Sequence, residues 1–164
     1  MAFGQNSRSG LSYVVESTFG TTPGTPALIQ LPYNSHSLNL TKETLEGNEI
    51  RPDRMQRVFR HGNRQVAGDI VGDLRMADFD PFLESAMLGA WSTNVLKNGT
   101  TPKYFSIEDA AENITQYRLF TGMTVNTMAV SIKPNQMVTA TFGMIGKNMT
   151  VSGSSVDATK TAPS

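Results

Sequence analysis

Residues 77–91, ADFDPFLESAMLGAW, are the only segment whose apolar residues recur at helical spacing, and they decide the fold. Intervals of three and four residues place these apolar side chains on one side of a helix, in a stripe wide enough to cover a sheet. The stripe consists of Phe79, Phe82, Leu83, Ala86, Met87 and Ala90. Asp80 before Pro81 predicts the helix start, and Gly89 predicts its end. The sequence therefore predicts one helix, about 79–90, that covers a core and carries no chemistry of its own.

The segments around this helix alternate between apolar and polar residues, which is typical of half-buried strands. Eight strands are predicted, over residues 11–16, 27–31, 35–42, 65–76, 104–108, 114–120, 124–133 and 137–147. Apolar residues are expected to face inward from three of them: Val66, Ile70, Leu74 and Met76; Met128, Val130 and Ile132; and Val138, Ala140, Phe142 and Met144. The fold class is therefore mainly β, with one flanking helix.

The opposite faces of these strands are polar, with short side chains. The set comprises Ser37, Asn39, Thr41, Asp69, Asp73, Thr139 and Thr141. Asp69 and Asp73 are four residues apart on one strand, so their carboxylates are roughly 13 Å apart, too far to share a proton. A solvated acidic face is the simplest interpretation of the two aspartates.

The chain has 164 residues, no cysteine and a formal net charge of zero. This length suits one domain, predicted at residues 1–151, followed by a flexible tail or linker at 152–164 that has little to bury. A neutral chain is not typical of a nucleic-acid-binding protein, and the lack of cysteine excludes disulfides and thiolate chemistry. No apolar run is long enough to span a bilayer.

A long connection without alternation, residues 43–64, holds five of the eight arginines: Arg51, Arg54, Arg57, Arg60 and Arg64. Residues 51–64 carry these five arginines and one aspartate, so the rest of the neutral chain is net negative by four. Two functional interpretations compete with a merely solvated loop. In the first interpretation, the loop binds nucleic-acid phosphates. In the second, it docks on an acidic surface of an identical subunit through its arginines, with Met55, Val58 and Phe59 as apolar anchors.

No catalytic constellation assembles from the sequence. The two histidines, His36 and His61, lack the spacing of a metal pair, and the glycine motifs of nucleotide-binding loops and nucleophile elbows are missing. We therefore expect no enzyme activity, no cofactor and no metal.

Four segments together resemble the tail tube proteins of long-tailed, siphovirus-like bacteriophages. They are ESTFGTTPGTP at 16–26, NEIRPDRMQ at 48–56, VAGDIVGDL at 66–74 and FDPFLESAMLGAW at 79–91. The resemblance implies a β-sandwich or barrel-like subunit flanked by one helix. It also implies that six such subunits close into a ring, and that rings stack into the tube that carries the genome.

The same resemblance implies partners and a location. The chain would bind itself in stacked hexameric rings, and would meet tape measure, tail terminator and distal tail proteins in a virion tail assembled in the host cytoplasm. The polar set would face the channel, where DNA passes without specific binding, and the arginine loop would contact neighbouring subunits; no membrane is involved. The alternative is a small β-domain that binds nucleic acid through residues 51–64. It has less support, because only Phe59 offers a stacking surface among those arginines.

Overall fold

The computed structural model describes residues 9–47 and 59–164. Within them, strands dominate and one α-helix is present, so the prediction of a mainly β fold with one flanking helix is confirmed. The elements are β1 (Ser9–Glu16), β2 (Ile29–Leu31), β3 (Ser35–His36), β4 (Asn39–Glu46), β5 (Phe59–Asp73), α1 (Asp80–Met87), β6 (Trp91–Ser92), β7 (Val95–Leu96), β8 (Tyr104–Ala111), β9 (Gln116–Ser131), β10 (Thr139–Gly146) and β11 (Asn148–Ser152).

Nine of these strands form one curled antiparallel sheet, with β6 and β7 as a separate hairpin. The strand order is β2-β1-β8-β9-β10-β5-β3, with β11 beside β9 and β4 beside β5. β9 belongs to both halves of the sheet, because it pairs with β8 and β11 over residues 116–123 and with β10 over residues 124–131. We call the half with β2, β1, β8 and β11 layer I, and the half with β10, β5, β3 and β4 layer II.

The core lies between the two layers and α1. Layer I contributes Leu11, Tyr13, Phe105, Ile107, Phe120 and Met123, and layer II contributes Val66, Ile70, Val125, Ala140, Phe142 and Met144. The helix joins the layers through two rings: Phe82 stacks on Phe105 at 4.8 Å between centroids, and Phe79 stacks on Phe142 at 5.6 Å. Fully buried aromatic pairs of this kind contribute about 0.5–1.5 kcal/mol each beyond the area they bury.

α1 begins where the Asp80–Pro81 pair predicts, but it ends earlier than residue 90. Phe79 and Phe82 are fully buried, Leu83 and Ala86 pack against the core, and Met87 is half-buried. Ala90, placed on the stripe by its spacing, lies beyond the helix and is exposed. The left-handed residue at the helix end is Leu88, with φ 51°, rather than Gly89.

The prediction of a loop over residues 43–64 is wrong at both ends, because strands occupy them. β4 continues to Glu46 and β5 starts at Phe59, and the two strands pair from Asn39 with Ala67 to Glu46 with Phe59. The alternation of apolar and polar residues is lost there because these parts of β4 and β5 lie beyond the two layers and their core, where neither face is buried. A register shift between Lys42 and Thr44 disturbs the alternation further.

Two predicted strands, 114–120 and 124–133, are one strand, β9. Gly122, which separates them in the sequence, takes φ +67° without ending the strand, and the pairing with β8 shifts register nearby, between Phe105 and Ile107. Such an irregularity bends a strand, and here it lies where β9 passes from one layer to the other.

Several residues predicted to face inward are exposed. Met128, Val130 and Ile132 have 39%, 43% and 77% of their surface exposed, and Met76, beyond the end of β5, has 94%. The register places Met128 opposite buried Phe142 and Val130 opposite buried Ala140, so both point to the dry side. The assignment of the face was right, but the core of a single subunit does not reach these positions.

The C-terminal residues, for which the sequence predicts a flexible tail, lie along layer I in the structure. Gln30 N–H donates to the carbonyl of Thr161 at 2.9 Å, and Thr161 N–H donates to the carbonyl of Leu28 at 2.8 Å. Lys160 Nζ lies 2.7 Å from Oε1 of the fully buried Glu108. A segment poor in apolar residues is thus fixed by backbone pairing and one buried ion pair. We call residues 153–164 the strap.

Candidate assembly interface

The seven polar residues grouped from the sequence lie on one face of layer II, opposite the core. Ladder pairs set this face, because directly paired residues of antiparallel strands point the same way. Thr139 pairs with Asp73, Asn39 with Ala67 and Thr41 with Gln65; Ser37 N–H donates to the carbonyl of Asp69 at 2.9 Å, and Thr141 lies two residues from Thr139 on β10. We call this surface the wet face.

The wet face also contains residues that were not included in the candidate set. They are Ser35, Gln65, Ala67, Val71, Thr127, Ala129, Ser131 and Gly143. The signal in the sequence that could have identified them is the alternation of side chains between the two faces of β5 and β9. Ile145, which pairs with Ala67, also lies on this face. The other side chains on the face are short, acidic or amide, and none of the positions from Ser35 to Thr41, from Gln65 to Asp73 and on the paired parts of β9 and β10 that share this face is basic.

Local hydrogen bonds hold the polar groups of the wet face in place. The backbone N–H of Asp69 donates to Ser37 Oγ at 2.8 Å, and Asn34 Nδ2 donates to Asp73 Oδ1 at 3.0 Å. Gly143 lies between Thr127 and Asp69: a β-carbon there would come within 2.2 Å of Thr127 Oγ1. A glycine at this position therefore lets the side chains of neighbouring strands close over the sheet.

Layer II has a free edge on each side within the described part of the chain. At one side, no described strand pairs with the outer edge of β4. At the other, β8 pairs with β9 only as far as Met123, and Ser85 of α1 then accepts the N–H of Val125 at 3.3 Å. From Asn126 to Ser131 this edge of β9 has no described partner strand. Open edges of this length favour pairing with another chain.

The β4–β5 hairpin extends beyond layer II. β10 pairs with β5 only from Asp73 to Val66, so the seven residues 59–65 extend past it by roughly 23 Å at normal strand rise. Arg60 and Arg64 lie exposed on this extension, and Arg64 Nη1 donates to Asn148 Oδ1 at 3.4 Å. The other candidate loop residues, Arg51, Arg54, Met55, Arg57 and Val58, and the side chain of Phe59, lie outside the described part.

Asp109 is a buried carboxylate of layer I with structural partners. Asp109, 4% exposed, pairs with Arg118, and His36 Nε2 lies 3.6 Å from its other oxygen. Burial raises the pKa of Asp109, but the His36 contact and the Arg118 charge outweigh burial, so the pKa of this carboxyl lies below its usual value. Asp109 therefore forms a structural ion pair with Arg118.

Glu16 is a second buried carboxylate with a structural role. It accepts hydrogen bonds from Gly20 N–H at 2.7 Å, Gly122 N–H at 2.9 Å and Ser106 Oγ at 2.7 Å. These bonds tie the loop that follows β1 to the bend in β9. Across residues 9–47 and 59–164, no three histidine, aspartate or glutamate side chains come together so that they could hold a metal ion. In the same ranges, no helix is long and apolar enough to cross a membrane.

Solved structures with the same fold are tube and injection assemblies. The structure of the anti-feeding prophage baseplate, 6-fold symmetrised, contains a chain that matches with a TM-score of 0.67 at 10% identity, covering 93% of this chain and 98% of that one. The tail of an empty gene transfer agent particle, refined with C6 symmetry, matches at 0.57 and 9% identity, covering 90% and 96%. The SPP1 tail tube matches at 0.55 and 13% identity, covering 90% and 78%. At these identities the matches establish the fold.

No curated protein sequence matches this chain significantly. The sequence does match the phage tail tube protein family over residues 6–164, which is nearly its whole length. This match agrees with the resemblance carried by the four segments between residues 16 and 91, and with a fold in which two sheet edges have no partner among the described strands. The chain belongs to the phage tail tube protein family, whose members are structural components of the tail.

Proposed function

We propose that six copies of this chain close into a ring by pairing the free edge of β9 in one copy with the free edge of β4 in the next. The observation that carries the proposal is that no strand within residues 9–47 and 59–164 pairs with either of these two edges, which lie on opposite sides of layer II. Closing a sheet on itself removes both edges and leaves no strand open to aggregation.

The strand directions agree with this pairing. β9 is antiparallel to β10, β10 to β5, and β5 to β4, so β4 runs opposite to β9 within one copy. Rotation about a ring axis leaves the direction along that axis unchanged. β9 and the β4 of the next copy therefore meet as an antiparallel pair, as the other neighbours in the layer do.

The size of the resulting barrel fits a conduit for DNA. Four strands from each of six copies, spaced at about 4.8 Å and tilted by about 40° to the barrel axis, give a circumference of roughly 150 Å and a backbone diameter of roughly 48 Å. Side chains of roughly 5 Å on each side leave a channel of roughly 38 Å, since facing sheets pack about 10 Å apart. A DNA duplex passes through such a channel with room for water.

In this arrangement the wet face lines the channel. The dry face of layer II packs on the core and on α1, so only the opposite face can turn toward the axis. Its aspartates repel phosphates and its neutral side chains offer them no cation, whereas lysines and arginines would bind phosphates and slow the DNA. Asp69 and Asp73 then act as a repulsive lining of the channel.

Rings stack through the extended β4–β5 hairpins and the arginine segment 51–60, and the tube ends meet other tail proteins. The baseplate and terminating-cap assemblies among the similar structures support this place in a tail, as do the helical tails. Tape measure, terminator and distal tail proteins are the expected partners, with assembly in the host cytoplasm before incorporation into the virion.

The channel assignment can be tested with cysteines, because the chain has none of its own. Asp69→Cys and Thr139→Cys tubes, first checked by electron microscopy, are treated with a small maleimide and with one too large to enter the channel. We expect labelling by the small reagent only, while the exposed control Ala90→Cys reacts with both. Rapid reaction of Asp69→Cys with the large reagent would place the wet face outside.

A further inference from the structure

Two adjoining cavities open between the outer face of layer I and the strap. Their volumes are about 440 and 630 Å³. Both are lined by Gln30 of β2, by Glu112 just after β8 and by Lys160 of the strap, so they are two parts of one groove. We call it the strap groove. Each part has a volume within the range of cavities that hold small ligands.

The floor of the smaller cavity is made of small residues of β1. Gly10 and Ser12 point away from the core, because Leu11 between them is buried in it. Ser12 pairs with Gln30, so both side chains lie on the outer face. A β-carbon built on Gly10 would meet nothing within 4 Å, and both residues line the cavity. The glycine therefore leaves space above the strand open.

The strap groove offers hydrogen-bond donors and acceptors together with aromatic rings. Ser12 Oγ is buried at the floor and has no hydrogen-bond partner among the described residues. The exposed side chains of Gln30 and Glu112 add an amide and a carboxylate at the rim. Tyr33 lines the smaller cavity and Tyr117 the larger one, and both rings are half-buried. Buried polar groups normally have a partner, so the floor holds a hydroxyl that a ligand can satisfy.

The charges around the strap groove disfavour an ionic ligand. Lys160 is the only cation among the described residues that line the groove, and its Nζ lies 2.7 Å from Glu108 Oε1. The carboxylate of Asp157 accepts two backbone N–H groups. An anion would therefore meet Glu112 and Asp157 with no unpaired cation, and a cation would meet the Lys160 ammonium.

We propose that the strap groove binds a neutral saccharide of one or two rings. Sugar hydroxyls both donate and accept hydrogen bonds, as this groove requires, and the C–H faces of the sugar ring pack on tyrosine rings. In the proposed ring, layer II lines the channel, so the groove opens on the outer wall of the tube. That placement rests on the proposed function, but the binding itself does not. Six grooves per ring would then strengthen a weak single-site affinity.

The first test measures binding by saturation-transfer NMR, which works for the dispersed subunit and for tubes alike. Glucose, galactose, mannose, rhamnose, N-acetylglucosamine, maltose and lactose are titrated one at a time against the full chain. We expect at least one of them to bind with a Kd of about 1 mM or tighter. Inorganic phosphate and putrescine, as charged probes, should bind more weakly than that sugar. No binding by any of the sugars, or tighter binding by either charged probe, would overturn the proposal.

The second test locates the bound sugar with a variant that fills the smaller cavity. The backbone of Gly10 is not in the left-handed region, so Gly10→Leu should fold like the parent and weaken sugar binding about tenfold or more. Gly24→Leu is the matched control, because its β-carbon also meets nothing within 4 Å and it lines neither cavity. Equal melting temperatures exclude a loss of fold.

A third variant tests the hydrogen bonds of the groove. Gln30→Met keeps the length of the side chain and removes its amide, so sugar binding should again weaken about tenfold. Parent-like binding by Gly10→Leu or by Gln30→Met would overturn the proposal. Failure of the parent chain to form rings would instead count against the proposed function and would leave the binding result unchanged.

Discussion

At the scale of single residues, the stability of the subunit depends on buried carboxylates whose partners come from distant parts of the chain. Glu16 is 5% exposed and accepts three hydrogen bonds that join β1, β8 and the bend of β9. Nothing in its local sequence separates it from a solvated glutamate, because its donors are up to 106 residues away. Its role is visible only in the folded chain.

Glu16→Ala should lower the free energy of unfolding by about 2–4 kcal/mol, because two backbone N–H groups and a hydroxyl lose their acceptor. Denaturant unfolding measured alongside the exposed control Glu112→Ala, expected within about 0.5 kcal/mol of the parent, checks this value. Equal stability of the two variants would show that water replaces the carboxylate.

Asp109 links stability to pH. Its pKa is lowered in the folded state, so its contribution is complete above the unfolded pKa of about 3.9 and is lost as pH falls through the lower folded value. The free energy of unfolding of the parent should therefore fall as pH drops below about 4. Asp109→Asn should be less stable at neutral pH and should show a shallower acid dependence. Parallel pH profiles for the two proteins would contradict this assignment.

At the scale of elements, the sequence predicts those whose pattern is local and misses those set by neighbours. The stripe at Phe79 and Phe82 gives the helix, and alternation gives β10, because burial on one face imposes the period. The alternation is lost in the parts of β4 and β5 that extend beyond layer II. In the second half of β9 the alternation persists but predicts burial that does not occur, since no core of the same subunit covers these residues. Ser85, outside the apolar stripe, is buried because its hydroxyl caps the edge of β9.

The bend of β9 depends on Gly122. Its φ of +67° disfavours any side chain, and a β-carbon would lie 2.9 Å from both Lys147 and Phe19. Gly122→Ala should therefore lower the free energy of unfolding by about 1–2 kcal/mol or more. Gly153→Ala is the control, because nothing lies within 4 Å of the added carbon. Thermal unfolding of both variants distinguishes a strained backbone from a tolerant one.

At the scale of the whole molecule, the strap closes the outer side of layer I. Glu108 is fully buried, with Lys160 as its counter-charge and with Ser155 Oγ and Val156 N–H donating to it. Composition alone predicts disorder for these residues, because one buried ion pair and two backbone hydrogen bonds are not visible as a pattern. The domain boundary predicted at residue 151 stays a prediction.

Lys160→Met should lower the free energy of unfolding by about 3–5 kcal/mol, because it leaves a buried carboxylate without its partner. Combining it with Glu108→Gln should restore most of that loss, as the pair is then neutral. A double-mutant cycle by chemical denaturation measures both effects. An unchanged midpoint for Lys160→Met would show that the strap does not hold Glu108 in solution.

The central claim is that the free edges of β9 and β4 join neighbouring copies in a closed ring. A Thr41→Cys, Ala129→Cys variant places one thiol on the wet face of each edge, and assembled material is treated with a short bifunctional thiol reagent. Denaturing electrophoresis should give a ladder that ends at six linked chains. A ladder that ends at two, one that continues past six, or no cross-link in rings seen by microscopy would contradict the claim.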